Sequence, residues 1–251
     1  MIDWTGSLQR HVDFAKEELG DKYEIICVSC KGSQNYRLDT EDSDFDSICL
    51  VAPTLYWLVR EPAPISTTLL LLNGEQMKVK DLRVFCREFA KSWDYWEVFT
   101  SDYAYWNPYY SDFVSSMRKN LNSYAKISPY AVLHSLLGVA TKEYKNMENY
   151  VDHAKKNKCA MKVLYFSYIA RDYFNGFKSV EDMLKTTDKI KKHLLGIKAG
   201  KVSYSAEVEQ ALSLMKAYVA LSIDDDFDQQ IFNSLMELCQ GVFEAYYKEC
   251  M

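Results

Sequence analysis

The chain has 251 residues, 48% of them hydrophobic, with 30 Lys and Arg against 35 Asp and Glu for a formal net charge of −5. That is ample for one large domain or two small ones and ordinary for a globular protein, which sets aside fibrous and low-complexity classes. No apolar run approaches the roughly 20 residues that span a bilayer, and the first ten residues hold Asp3 and no apolar stretch of the secretory kind, so a cytoplasmic protein without a membrane partner is expected.

Apolar residues at Leu8, Val12, Phe14, Ala15 and Leu19 have helical spacing over 5–19, and Gly20-Asp21 stop that helix. Tyr23 to Cys30 reads as a buried strand, broken by Gly32 and Ser33. A second strand runs from Phe45 to Val51 and ends at Pro53. A third, Thr67 to Leu72, meets Met77 to Lys80 across the Asn73-Gly74 turn, a strong hairpin signal. Asp81 stands where a helix to about Lys91 needs its N-cap, and Tyr95 to Thr100 reads as a short fifth strand. After Pro108 only helical periodicity remains, over 110–121, 129–149, 159–174, 179–195, 205–222 and 226–249. The expected class is α+β: a small mixed sheet with flanking helices over 1–112, then an all-α domain over 113–251.

The charge divides with the pattern. Residues 1–110 hold 11 Lys and Arg and 18 Asp and Glu, a net of −7; residues 111–251 hold 19 and 17, a net of +2. An acidic front half argues against passive nucleic-acid binding and suits a site that gathers divalent cations. Cys27 and Cys30 form a CxxC, but there is no second ligand pair for zinc. The seven cysteines are irregularly spaced, so they read as core cysteines rather than a disulfide framework.

The stretch that carries chemistry is Lys31-Gly32-Ser33-Gln34-Asn35-Tyr36-Arg37-Leu38-Asp39, then Asp42-Ser43-Asp44-Phe45-Asp46-Ser47. A buried strand ends in Gly-Ser. Glycine permits a tight turn, and free N–H groups with the Ser33 hydroxyl suit phosphate oxygens. Strand period two then puts Asp44 and Asp46 on one face. Carboxylates that close repel unless a cation lies between them, and a hard cation such as Mg²⁺ suits them. A phosphate cradle beside metal carboxylates is the equipment of phosphoryl or nucleotidyl transfer. The third carboxylate such a site uses is open between Asp81 and Glu75, which share strand parity; Lys78 stands where an acid would be sought. Each has a plainer alternative: helix N-cap for Asp81, turn surface for Glu75, a solvated turn for Asp44 and Asp46.

Gly32, Ser33, Tyr36 and Leu38, followed by Ser43, Asp44 and Asp46, resemble the DNA polymerase beta superfamily of nucleotidyltransferases. The match looks closer to one branch, the bacterial and phage proteins similar to the RNA-repair polymerase-beta-like group. Lys80-Asp81-Leu82-Arg83, Trp96-Glu97-Val98-Phe99-Thr100 and Asn107-Pro108 resemble later segments of that branch, so the likeness covers roughly 25–112. Arg37 departs from it, standing where glycine is common. The resemblance implies an enzyme that moves an NMP from an NTP such as ATP to a hydroxyl on RNA, a protein or a small molecule, releasing pyrophosphate. It implies two Mg²⁺ ions, or Mn²⁺, held by Asp44, Asp46 and Asp81 or Glu75, with nucleotide contacts from Gly32, Ser33 and Arg37. Lys162 and Arg171 would reach the triphosphate from the helical half, where lysine clusters form either a solvated face or an RNA track. The alternative is a catalytically inactive nucleotide-binding or interaction protein. The aromatics from Trp93 to Tyr110 read as core packing, with base stacking the functional alternative.

Overall fold

The structure is a computed structural model and describes residues 3–41, 43–61, 63–223 and 227–249; Asp42 and the start of the expected helix at 226 lie outside these. Helix α1 (Thr5–Leu19) buries His11, Val12, Ala15 and Leu19 along one stripe. Strands β1 (Tyr23–Lys31) and β2 (Asp46–Pro53) are buried on both faces, which is why each reads as an almost continuous apolar run. A short α2 (Leu55–Arg60), capped by the Thr54 hydroxyl, leads to β3 (Ser66–Leu70), β4 (Gln76–Asp81) and α3 (Leu82–Glu88).

The five-stranded sheet has the order β3-β4-β2-β1 and then β5 (Ala104–Trp106). Only β2 and β4 pair in parallel; the other pairs are antiparallel, so the sheet is mixed. Ahead of β5 lies a helical turn, α4 (Trp96–Thr100). The strand expected over Tyr95–Thr100 is therefore corrected: Trp96, Glu97, Val98 and Phe99 are all buried, and a segment enclosed on every side shows no alternation from which a period can be read. The real edge strand follows it and spans only three residues.

The rest is helical: α5 (Ser111–Tyr124), α6 (Pro129–Asn149), α7 (His153–Phe174), α8 (Val180–Leu184), α9 (Asp188–Lys198), α10 (Ser205–Leu221) and α11 (Gln229–Glu249). Among the described residues no strand follows Trp106. The helix expected over 179–195 is two, parted where Thr187 caps α9 through its hydroxyl. No helix among the described residues is long and apolar enough to cross a membrane.

The sheet buries its two faces differently. One lies against α1, with Val28, Cys49, Val51, Met77 and Val79 packed on Val12, Ala15 and Leu19. The other is continuous with the helical core: Ile26, Ile48 and Leu50 share one apolar cluster with residues as distant as Val163, Leu194 and Val242. Aromatic pairs stitch the seam. Tyr36 meets Tyr165 at 4.4 Å between ring centroids, Trp93 meets Phe166 at 5.0 Å, and Trp96 stacks on Tyr173 at 5.8 Å. The dense aromatics of the sequence are thus largely core. Helix α11 returns to the sheet, its Tyr247 hydroxyl donating to the Pro53 carbonyl at 3.2 Å.

Candidate functional site

β1 ends at Lys31, opposite Asp46 at the start of β2. Between them Gly32 takes a φ of +95°, a left-handed conformation that side chains other than glycine rarely adopt. The chain then folds into a compact turn, with Asn35 N–H donating to the Gly32 carbonyl at 3.0 Å and Leu38 N–H to that of Ser33 at 2.8 Å. Arg37 closes it at a φ of +61°, a left-handed backbone that glycine adopts more readily. Its side chain is exposed.

A fully buried carboxylate, Glu97, clamps the turn from below. It accepts from the Gly32 N–H at 2.6 Å, from Asn35 Nδ2 at 3.2 Å and from the Tyr36 hydroxyl. Burial pushes the Glu97 carboxyl above its ordinary value, against the pull of Lys31 and these donors. The expected cradle thus loses one donor, because the Gly32 N–H is already taken. Among the described residues the N–H groups of Ser33 and Gln34 have no protein acceptor. Gln34 links the turn to the aspartates, its Nε2 donating to the Asp44 carbonyl at 2.6 Å. The helical half adds Thr186, whose hydroxyl donates to the Tyr36 carbonyl at 2.7 Å, and Lys198, which donates to the Thr40 hydroxyl at 3.0 Å.

Strand register decides which side chains join Asp46. Ser47 pairs with Met77 and Ile48 with Lys78, and directly opposed residues point to the same face. Asp46, Ile48 and the even-numbered residues of β4 therefore face the helical half, with Lys31 beside them. Asp44 precedes β2 and is exposed, while Phe45 between it and Asp46 is buried against Trp4. The Gln76 N–H donates to Asp46 Oδ1 at 3.0 Å. Asp94 comes down onto the same face and is held by Lys31 Nζ at 3.2 Å and Lys78 Nζ at 3.6 Å. Burial opposes ionisation of Asp94, but Lys31, the Ser92 hydroxyl and Lys78 outweigh it and hold its carboxyl below the usual value. Burial and the neighbouring Lys31 lower the Lys78 ammonium from its ordinary value.

The two candidates for a third carboxylate share strand parity, but on the opposite face. Glu75 turns toward α1, where Arg10 Nη2 lies at 3.2 Å and His11 Nε2 at 3.2 Å; His11 Nδ1 in turn lies 2.7 Å from the Ser47 hydroxyl. Asp81 lies opposite Val51, five residues along β2 from Asp46, or roughly 16 Å at the usual rise per strand residue. It is fully buried, caps α3 through the Arg83 N–H at 2.8 Å and pairs with the Arg83 guanidinium at 2.6 Å. Asp81 is therefore not brought to the aspartate pair, and its sequence position is explained by capping.

The helical candidates are placed as follows. Lys162 lies one turn before Tyr165 and Phe166 on α7, and its Nζ donates to Glu143 at 3.0 Å. Arg171 pairs with Asp172 at 2.7 Å and lines a groove with Tyr168, Glu207 and Gln210, on the α10 side of the helix rather than the sheet side. Lys31, Gln34 and Asp94 were not singled out as site residues from sequence. Register could have exposed the first, since it must face Asp46 once β1 and β2 pair.

Among the described residues no group of three or more His, Cys, Asp or Glu side chains is placed to hold a metal ion. The carboxylates of the Asp-x-Asp segment are Asp44, which is exposed, and Asp46 at the start of β2. That fits one Mg²⁺, which habitually takes one or two carboxylates and fills its remaining positions with water and substrate phosphate. Neither a protein-family model nor a curated protein matches this chain.

Proposed function

We propose that this chain is a polymerase-beta-like nucleotidyltransferase that binds an NTP with Mg²⁺ between sheet and helices and transfers the NMP to a hydroxyl acceptor. The observation that carries this reading is the tether between the Gly32-Ser33 turn and the aspartates: Gln34 holds Asp44, and Asp46 opens the strand beside it. The Ser33 and Gln34 N–H groups and the Ser33 hydroxyl would donate to phosphate oxygens. Asp44 and Asp46 would hold the cation, which neutralises the triphosphate and orients its α-phosphorus. Glu97 would act on the turn alone, keeping its backbone preorganised. The acceptor hydroxyl, on RNA, a protein or a small molecule, would add to the α-phosphate as pyrophosphate leaves.

A second reading, a nucleotide-binding protein that does not transfer, is favoured by Lys78 on the neighbouring strand and by the engagement of Asp81 and Glu75 elsewhere. The two are separated by incubating the protein with Mg²⁺, each α-labelled NTP and cellular RNA, protein or metabolite fractions, beside an Asp44→Ala/Asp46→Ala control. Label reaching one fraction, and lost in the control, supports transfer and names the acceptor class. Mg²⁺-dependent nucleotide binding that needs the aspartates, without transfer, supports the second reading. Neither binding nor transfer overturns both.

A further inference from the structure

We propose that Lys31, Asp94 and Lys78 form a fixed-charge phosphate site, so that the cleft takes a polyphosphate with one divalent cation and a lysine ammonium supplies the remaining positive charge; this rests on the nucleotide reading above. Two ammoniums converge on one carboxylate, at 3.2 and 3.6 Å, on the sheet face that carries Asp46. A structural ion pair needs only one of them, and a surplus cation held partly out of water is unfavourable without an anion. The groups nearest Lys78 are Lys31, Lys80 and Asp94. Glu97 also acts on Lys31 through its charge, but among the described residues it makes no ion-pair contact with either lysine; its oxygens accept from Gly32, Asn35 and Tyr36.

The exposures show which lysine meets the ligand. The Lys78 side chain is 41% exposed, against 17% for Lys31 and 22% for Asp94. Lys31 and Asp94 form the half-buried base, and Lys78 is the more exposed arm that would leave Asp94 for a phosphate oxygen. An ammonium is a compact point charge suited to phosphate without bidentate geometry. The cleft is therefore bipolar: carboxylates for the cation on one side, ammonium for phosphate on the other. That polarity matches a metal–polyphosphate chelate better than a free anion or a free cation.

The experiment uses the full chain and two probes. Tripolyphosphate binding is measured in EDTA for the wild type, Lys78→Met and Lys78→Arg, each first shown to keep the wild-type melting temperature. Mn²⁺ bound per chain is then counted by electron paramagnetic resonance with saturating ATP. Loss of one charge-assisted contact predicts about tenfold weaker tripolyphosphate binding in Lys78→Met, near-wild-type binding in Lys78→Arg, and one Mn²⁺ per chain. Equal affinity in Lys78→Met, no tripolyphosphate binding by the folded wild type, or two Mn²⁺ per chain overturns the proposal. The nucleotide reading fails separately: ATP then binds no more tightly than tripolyphosphate, and Asp44→Ala/Asp46→Ala changes nothing.

Discussion

The two faces of the sheet carry polar clusters at the same end of the same strands, and the clusters are built for different ends. Toward α1, His11, Ser47 and Glu75 interlock: His11 and Ser47 have no exposed surface and Glu75 only 9%. Toward the helices, Asp46, Lys31, Lys78 and Asp94 are partly open, and one lysine is in surplus. A Ser-His-Glu arrangement invites a catalytic reading, yet no substrate reaches a hydroxyl with no exposed surface. The closed cluster satisfies its own donors and acceptors and anchors α1 to the base of β2. The open one leaves charge for a ligand. Solvent access, more than residue identity, separates a structural polar network from a binding site.

The comparison is tested most severely at Glu97, which serves the open face from beneath. Glu97→Ala strands the Gly32 N–H, Asn35 Nδ2 and Tyr36 hydroxyl without their buried acceptor and is expected to cost about 3–5 kcal/mol, read by chemical denaturation, with nucleotide affinity falling as the turn loosens. Glu97→Gln keeps an acceptor and should lose less. On the closed face, His11→Ala is expected to cost about 1–3 kcal/mol while leaving nucleotide affinity unchanged in calorimetry. An affinity loss matching that of Lys78→Met would erase the distinction between the faces.

The same histidine makes a pH prediction. Burial holds the His11 imidazole below its ordinary 6.5, although Glu75 pulls the other way. Above 6.5 the contribution is fully present. As pH falls below 6.5 the unfolded chain takes up a proton that the folded chain resists, so stability declines until the lowered folded value is reached. Melting curves of wild type and His11→Gln between pH 7.5 and 5 should converge as the pH falls, as ~6.5 is the ordinary histidine value. The smallest effect belongs to the far end of the sheet. Asp81→Ala removes a helix cap and the partner of Arg83 and should cost about 1–2 kcal/mol, with nucleotide binding intact. If binding disappears in a folded Asp81→Ala protein, the assignment of the site to the Asp46 end is wrong.

Much of this was legible from the residues. Strands β1, β2 and β4 and the hairpin turn were readable because buried strands are apolar throughout and Asn73-Gly74 admits few other conformations. So was the parity of Glu75 with Asp81, but parity orders residues within one strand and says nothing about its alignment with the next. The pairing of Ser47 with Met77 sends Glu75 and Asp81 to the α1 face and puts Lys78 on the face toward the helices. That information resides in long-range pairing, which no local window contains. The α4 turn was hidden by its complete burial, and Asp94 became a site residue only through a tertiary approach.

The aromatic seam bears on how the protein is made. The sheet is synthesised first, but Tyr36, Trp93 and Trp96 find their partners on α7, at Tyr165, Phe166 and Tyr173. While the chain emerges from the ribosome, the face that carries Asp46 stays uncovered until α7 has been translated, a period in which exposed apolar surface is open to chaperones and to misassembly. A nascent chain stalled before α7 should display that surface, and one released after it should not.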